Sequence, residues 1–363
     1  MLYATPDLSA ATRGKLAELD ELRKQLAHEG AQPGRWMGPL RRSFRAADVG
    51  SSTSIEGYTV SEEDVLVLVG GHETPDPDDE DRMAVSCYAR AMDHVGVMAV
   101  DPSFHWCDRV IKDLHFDACF FDWEKHPGRW RETPVNVTAG GGEIAYRGPD
   151  AEDVPGLMDE VVGWLRDDDR DAHVVVRAAM AHLHIVSVHP FEDGNGRISR
   201  IVQSLVLALE GVLAPDLTSI EQYLGEHTAD YYETLRAVQR GSYQPQRDAG
   251  PWVRMCVEAH LVQARRRLAL IADAGRRWAW LEAAVEQRDW PDRLVIALEQ
   301  AVFGRTDRGS YGREADVSPA TASSDLRRLA DAGLLVQQGR TRNAHYRPAP
   351  ALRRLAAGED EPA

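Results

Sequence analysis

Residues 189–200 read His-Pro-Phe-Glu-Asp-Gly-Asn-Gly-Arg-Ile-Ser-Arg, and an apolar helical pattern follows from Ile201 to Leu213. No other stretch constrains the chain as strongly. A glycine-rich turn opening a helix offers free N–H groups and the positive end of the helix dipole, so it is a ready anion site. Arg197 and Arg200, three apart, share one face of that helix. Their guanidinium forks match phosphate oxygens. The segment reads as a holder for a polyphosphate beside a histidine.

The chain of 363 residues is long enough for one large domain and a smaller one. A net charge of −16 excludes nucleic-acid binding over the whole surface but leaves room for a local basic patch. The four cysteines, Cys87, Cys107, Cys119 and Cys256, are scattered, with no Cys-x-x-Cys pair, so neither a zinc site nor a disulfide framework is expected. Without a signal-like apolar run or a stretch of ~20 apolar residues, the expected setting is soluble, reducing and cytoplasmic, with no membrane partner.

Apolar spacing predicts helices over Ser9–His28, up to Ile55 with a stop at Gly57, and from Met83 to about Phe121. A Gly/Pro-rich connector spans Gly30–Pro39, and an acidic, proline-punctuated loop spans Gly70–Glu80. Val135, Val137, Gly140-Gly141-Gly142, Ile144 and Tyr146 read as a β-hairpin within Pro134–Tyr146. Helices then resume at Val154–Leu165, Ala172–Val188, Arg197–Leu213, His227–Arg240 and Pro251–Ala274. Leu281–Phe303 reads as helical. Ser318 caps a further helix with Pro319 in its first turn and Gly333 at its end. Two short strands follow, Leu334–Val336 and Ala344–Tyr346, around Gly339-Arg340, and the tail from Gly358 reads as disordered.

The central segment resembles the Fic family signature: His-Pro-Phe, any residue, Asp or Glu, Gly-Asn-Gly-Arg, two residues, Arg. Every fixed position is present. The resemblance covers roughly residues 85–245 and implies a mainly α, Fic-type helical core with a β-hairpin flap. The implied division is an N-terminal helical region at 1–82, the core at 83–275, a small C-terminal winged-helix (α+β) domain at 281–350 and a tail at 351–363. The family's usual reaction moves AMP from ATP to a hydroxyl of a target protein. The resemblance then makes His189 the base that takes the proton of a Tyr, Thr or Ser hydroxyl. It gives Asp193 to Mg²⁺. Gly194, Asn195 and Gly196 bring N–H groups and an amide to the phosphates, and Arg197 and Arg200 hold the β- and γ-phosphates. Phe191 reads as a core anchor, Glu192 as a solvated charge, and His182 and His184 as structural. His28, His72, His94, His105 and His115 have no spacing that argues for chemistry.

Residues 52–57, Ser-Thr-Ser-Ile-Glu-Gly, resemble the family's inhibitory motif. Ser52 and Glu56 lie four apart on one helix face. The expectation is that Glu56 pairs with Arg197 and keeps the ATP γ-phosphate from docking. The family's flap holds the target segment as an added strand, and the 134–146 hairpin is the natural candidate. Tyr231-Tyr232 match a Tyr-Tyr pair that packs on adenine in relatives, although Gly225-Glu226-His227-Thr228 just upstream departs from the usual pattern.

Residues 313–354 hold eight arginines against four acids, Glu314, Asp316, Asp325 and Asp331. Helix, turn, helix and two-stranded wing is the order of a winged helix, with Ser318–Ala332 as recognition helix and Gln338–Arg347 as wing. DNA contact would then use Thr321, Ser324, Arg327 or Arg328; the module serves dimer formation or target docking otherwise. The leading reading is an autoinhibited protein adenylyltransferase using ATP and Mg²⁺ on a target protein. The competing reading is a DNA-binding regulator whose core senses nucleotide, removes AMP or transfers another nucleotide. Family members often form homodimers.

Overall fold

The computed structural model describes residues 1–31, 36–71, 73–138, 142–339 and 344–357. Part of the Gly30–Pro39 connector, His72, the Gly140-Gly141 turn, Arg340 in the wing turn and the tail from Gly358 lie outside the described residues. The chain divides into two compact units. One comprises residues 1–28 and 44–267, the other 29–43 and 268–363. The fold is mainly α, as the spacing predicts.

The larger unit contains α1 (Ala10–Gly30), α2 (Met37–Ile55), α3 (Glu62–Val69), α4 (Glu80–Ala99), α5 (Asp108–Cys119), a hairpin of β1 (Asn136–Thr138) and β2 (Ile144–Arg147), α6 (Val154–Asp167), α7 (Val174–Val188), α8 (Asn195–Ala208), α9 (Pro215–Thr218), α10 (Glu221–Glu226), α11 (Thr228–Gln239) and α12 (Gly250–Glu286), with α1, α2 and α12 crossing the unit boundary. The predicted helix over 83–121 is two helices. Pro102 disfavours helical backbone at Asp101, and the chain re-enters a helix only after Cys107. Likewise α8 stops at Ala208, short of Leu213, where Gly211 takes a positive φ of 74°.

The core centres on α7 and α8. α7 is predominantly apolar and nearly every residue of it is buried, as expected of a central helix. α8 is as deeply buried but carries Asn195, Arg197, Ser199, Arg200, Gln203 and Ser204 inside. Buried polar groups are costly unless bonded, so α8 dictates which groups its neighbours must present. α4 and α5 pack against α8, and α6 against α7.

The hairpin pairs Asn136 with Arg147, Val137 with Tyr146 and Thr138 with Ile144, with a bulge between Val137 and Thr138. Its base is tied to the core: Tyr146 is buried and its hydroxyl donates to the Ser187 carbonyl at the end of α7, while the Arg147 amide donates to Gly241 at 3.0 Å.

In the smaller unit α13 (Leu294–Val302), α14 (Arg308–Glu314) and α15 (Pro319–Asp331) precede an antiparallel pair, β3 (Leu335–Gln338) and β4 (His345–Pro348), and then α16 (Pro350–Ala356). The predicted helix over 281–303 is broken: α12 runs on to Glu286, and the chain turns through Asp289 at φ 51° and Pro291 before α13. Ser318 caps α15 as expected, accepting from the Thr321 amide. Asp325 is buried and accepts from Arg293 at 2.7 Å and from the Tyr311 hydroxyl at 2.7 Å. It is a structural anion, so only three of the four acids counted in this segment offset its surface arginines.

Candidate active site

The motif loop joins α7 to α8. His189 ends α7 in the left-handed region, φ 52°, with its amide on Ile185 O at 2.9 Å. A non-glycine residue there needs surrounding structure to hold it. Pro190 cannot continue the helix. Phe191 is fully buried and stacks on His115 with ring centroids 3.5 Å apart. Gly194 caps α8 at φ 72°, and a Cβ there would collide with Cys119 Sγ, so both the backbone angle and the close approach demand glycine.

Three side chains brace this loop, and sequence reasoning assigned a bracing role to none of them. Asn195 accepts from the Phe191 amide at 2.9 Å and donates to the Phe191 carbonyl at 2.9 Å. Its side-chain amide is thereby engaged by the loop backbone. His115 lies between the Asp193 carbonyl, 3.0 Å from Nε2, and the Gly128 amide, which donates to Nδ1 at 2.9 Å. That pattern fixes the tautomer with the proton on Nε2. Burial drives its pKa down to about 4, so it is neutral. Arg131, 3% exposed, donates to the His189 carbonyl at 2.8 Å, to Thr133 O at 2.9 Å and to Pro149 O at 2.6 Å, while its own amide donates to Pro190 O. It pins the motif loop to both ends of the hairpin segment. Arg131 lies 58 residues from His189 and His115 lies 78 from Asp193, so no local spacing announces them.

His189 lies at the edge of a cleft of about 510 Å³ that is also lined by Glu56, Asn136, Glu192, Asp193, Gly196 and Tyr232. The size suits a nucleotide-scale ligand. Its Nδ1 sits 3.2 Å from Val186 O, which places the proton on Nδ1 and leaves Nε2 with a lone pair. Burial lowers the pKa of His189 to about 4, with the Val186 carbonyl opposing the shift and Arg131 adding to it. The ring is therefore a neutral acceptor at pH 7.

The two motif arginines differ in partner. Arg197 donates to Asp193 Oδ2 at 2.8 Å and lies over the rings of Tyr58 and Phe121, 5.2 and 5.4 Å from their centroids. Its Nε and Nη1 are buried without a hydrogen-bond partner. Arg200 donates to Ser52 Oγ at 2.7 Å, to Ser52 O at 3.0 Å and to Glu56 Oε1 at 2.7 Å. The expected Glu56–Arg197 pair is thus corrected to Glu56–Arg200. The reason is geometric. The end of α2 meets α8 one turn further along, and Ser52 in its last turn and Glu56 just past its end grip the same guanidinium. Burial alone would lower the pKa of Arg200, but Glu56 foremost drives it upward. A Cβ on Gly196 would collide with Glu56 Oε1, so this carboxylate lies against the first turn of α8.

Asp193 is 42% exposed at the cleft with one oxygen given to Arg197. No group of three or more His, Cys, Asp or Glu among the described residues could hold a metal unaided. A cation here would rest on Asp193 and on oxygens brought by the ligand. Glu192, expected to be solvated, is partly covered and lies 3.2 Å from His126 Nδ1. The tyrosine pair divides: Tyr231 is buried with its hydroxyl 3.1 Å from His182 Nε2, whereas Tyr232 is 38% exposed and donates to Ile55 O at 3.3 Å. His182 and His184 are fully buried and neutral, their pKa values driven down to about 3 by burial.

The helical core thus brings a neutral histidine and the first turn of α8 to one cleft, with two buried arginines further along that helix. Residues 107–207 match the Fic/DOC family model. A protein adenylyltransferase Fic from Nematostella vectensis is 26% identical over 258 residues, 67% of this chain and 54% of the relative. One from Culex quinquefasciatus is 36% identical over 119 residues, 32% of this chain and 21% of the relative. The chain thus spans about half or less of the length of these curated relatives. In fold it is similar to a Fic family protein from Desulfovibrio desulfuricans G20, with 22% identity, TM-score 0.60, and 95% of this chain and 98% of that one covered. It is also similar to Fic-1 from Caenorhabditis elegans, with 23% identity, TM-score 0.59, and 72% and 73% covered. Among the described residues no helix is long and apolar enough to cross a membrane.

Proposed function

We propose that this chain is a protein adenylyltransferase that moves AMP from ATP to a Tyr, Thr or Ser hydroxyl of a target protein, and that α2 restrains it. The observation that carries the reading is the pairing of a neutral His189 with two buried arginines whose remaining nitrogens have no partner in the protein. Arg197 Nε and Nη1 and Arg200 Nη1 are such groups, and buried, unmatched donors at a helix N-terminus call for an anionic ligand.

In the reaction His189 Nε2 takes the hydroxyl proton as the acceptor oxygen bonds to the α-phosphorus. The bond from that phosphorus to the bridging oxygen breaks, and pyrophosphate leaves with the electron pair. Arg197, Arg200 and the α8 amides hold the β- and γ-phosphates and stabilise the charge that builds on the leaving group. Mg²⁺ fits at Asp193, where one half-exposed carboxylate and phosphate oxygens would share it, and when bound it neutralises phosphate charge. β1 is the edge on which a target segment adds as a strand, presenting its hydroxyl toward His189. Tyr232, exposed at the cleft, is the member of the tyrosine pair free to pack on adenine; Tyr231 supports it from below.

Restraint follows from Glu56. An exposed ion pair contributes only ~0.2–1 kcal/mol, too little for firm inhibition. Arg200 is wholly buried and bound three times over, a shielded geometry in which the pair is screened less than an exposed one. A γ-phosphate must displace that carboxylate.

Incubation with labelled ATP and Mg²⁺, wild type beside Glu56→Gly and Glu56→Gly/His189→Ala, tests the reading. Label in Glu56→Gly and none in the double variant is expected; equal label in both removes His189 from the chemistry.

The α13–β4 segment supports a winged-helix role, in which the exposed Ser324, Arg327 and Arg328, with Thr321, face DNA. Filter binding at two salt concentrations tests it: affinity that falls with salt is expected, and none at low salt assigns the module to dimer formation or target docking.

A further inference from the structure

A second cavity, of about 170 Å³, lies away from the cleft in the larger unit, between α2, α4, α9 and α10. Its wall carries four acids, Asp48, Asp93, Asp216 and Glu221. Asp48 and Glu221 are 4% and 2% exposed, and each keeps one carboxylate oxygen, Asp48 Oδ2 and Glu221 Oε2, without a hydrogen-bond partner. The other oxygens are engaged. Arg267 donates to Asp48 Oδ1 at 2.7 Å, and the Tyr88 hydroxyl donates to Glu221 Oε1 at 2.6 Å. Arg45, the cation in the wall, pairs with Asp93 at 2.6 Å and donates to Ala89 O at 2.9 Å, while its Nε has no hydrogen-bond partner.

Two buried carboxylates with unmatched oxygens in one small cavity call for positive charge with N–H donors. The remaining wall is apolar, with Val49, Met92 and Pro215. No group of acids and histidines among the described residues is arranged to hold a metal ion. The space equals that of roughly six waters at ~30 Å³ each, enough for an ammonium head on a short alkyl chain. We propose that this cavity is a binding site for a small primary alkylammonium, with Asp48 and Glu221 taking the head and Val49, Met92 and Pro215 lining the chain. Asp48 precedes Ser52 by four residues on the same face of α2, so an occupant ties down the helix that delivers Glu56. The site is independent of whether the cleft transfers AMP.

Proton exchange gives the site a signature. Burial, with the charge of Asp48, raises Glu221 to about 8, and burial raises Asp48 to about 6, with Arg267 opposing and Asp216 adding. Arg200 and Arg267 pull Glu221 the other way. At pH 7 the free protein holds a proton on Glu221 that a cation must expel; at pH 9 it does not.

Calorimetric titration of the full chain with n-butylammonium chloride, at fixed ionic strength and in two buffers of different ionisation enthalpy, tests this. Saturable 1:1 binding is expected, about tenfold tighter at pH 9 than at pH 7, with close to one proton released at pH 7 and none at pH 9. Tetramethylammonium, which has no N–H, should not compete. Glu221→Gln should weaken binding about tenfold or more and abolish proton release. Gly96→Leu should narrow the cavity without altering a carboxylate, because Gly96 lines it and an added Cβ meets nothing within 4 Å; it carries the test if Glu221→Gln misfolds. No saturable heat at either pH, equal competition by tetramethylammonium, or unchanged binding in Gly96→Leu overturns the proposal.

Discussion

The two sides of the cleft are held to different tolerances. On the floor, the motif loop is fixed by buried groups from three directions: Arg131 on the His189 and Pro190 carbonyls, His115 on Asp193 O and against the Phe191 ring, and Asn195 on both backbone groups of Phe191. On the facing side, the end of α2 meets the site through one guanidinium and one tyrosine. Arg200 takes Ser52 and Glu56, and Tyr232 reaches Ile55 O at 3.3 Å. Glu56 keeps 20% of its side chain exposed, while Arg200 keeps none. The floor has the rigidity that positioning of a reacting group requires. The facing side has few enough contacts to be exchanged for a ligand phosphate.

The largest effect should come from the floor's one chemical group. In a Glu56→Gly background, His189→Ala should lower the labelling rate by ~10²–10⁴, the range of a lost general base, while leaving nucleotide binding measurable by fluorescence. Next is the floor's support. Arg131→Met leaves His189 in place but frees its carbonyl. A shift of ~1 Å can cost about 10² in rate, so a comparable fall in kcat with KM for ATP nearly unchanged is expected. If KM rises and kcat holds, Arg131 serves the ligand and not the loop. The facing side should respond in the opposite direction. Glu56→Gly should raise labelling about 5–150-fold, the span of a coupling of ~1–3 kcal/mol. Ser52→Ala should raise it less, because Ser52 O still holds Arg200 when its hydroxyl is gone.

Much of this arrangement is legible in the sequence, and the boundary of what is legible has a physical cause. Amphipathic or apolar spacing places α1, α6, α7, α11 and the Ser318-capped α15, because helix periodicity is a local signal. The breaks at 100–107 and 287–293 are missed because flanking apolar residues continue the helical spacing across them. The motif loop is legible as an anion site because its chemistry is contiguous. What the sequence leaves open is which long-range partner each group takes. Asn195 bonds the Phe191 backbone, which its residue type alone does not announce. Glu56 faces two arginines three residues apart, and only the seating of α2 on α8 selects Arg200. His115 and Arg131 carry no local mark at all.

The smallest effect, and the one that separates the floor's burial from the acidic cavity, is in stability against pH. His115 and His189 are lowered to about 4, and His182, His184 and His260 to about 3, all chiefly by burial. Unfolded, each takes up a proton near pH 6.5. Between pH 4 and 6.5 the unfolded chain therefore binds more protons at these five sites, and stability rises with pH. Asp48 and Glu221, raised to about 6 and about 8, act in the opposite sense. Folded, they keep protons that the unfolded chain has released, so stability falls as pH rises through those values. Five groups outnumber two below pH 6.5; from pH 6.5 to 8 Glu221 acts without them. Thermal melts should show Tm climbing from pH 4.5 to 6.5 and then declining gently toward pH 8. Glu221→Gln should flatten the decline and leave the climb intact. A decline that persists in Glu221→Gln would place the ionising group elsewhere. A missing climb would mean that the histidines beneath the floor are reached by water, and that the floor is less rigid than its hydrogen bonds imply.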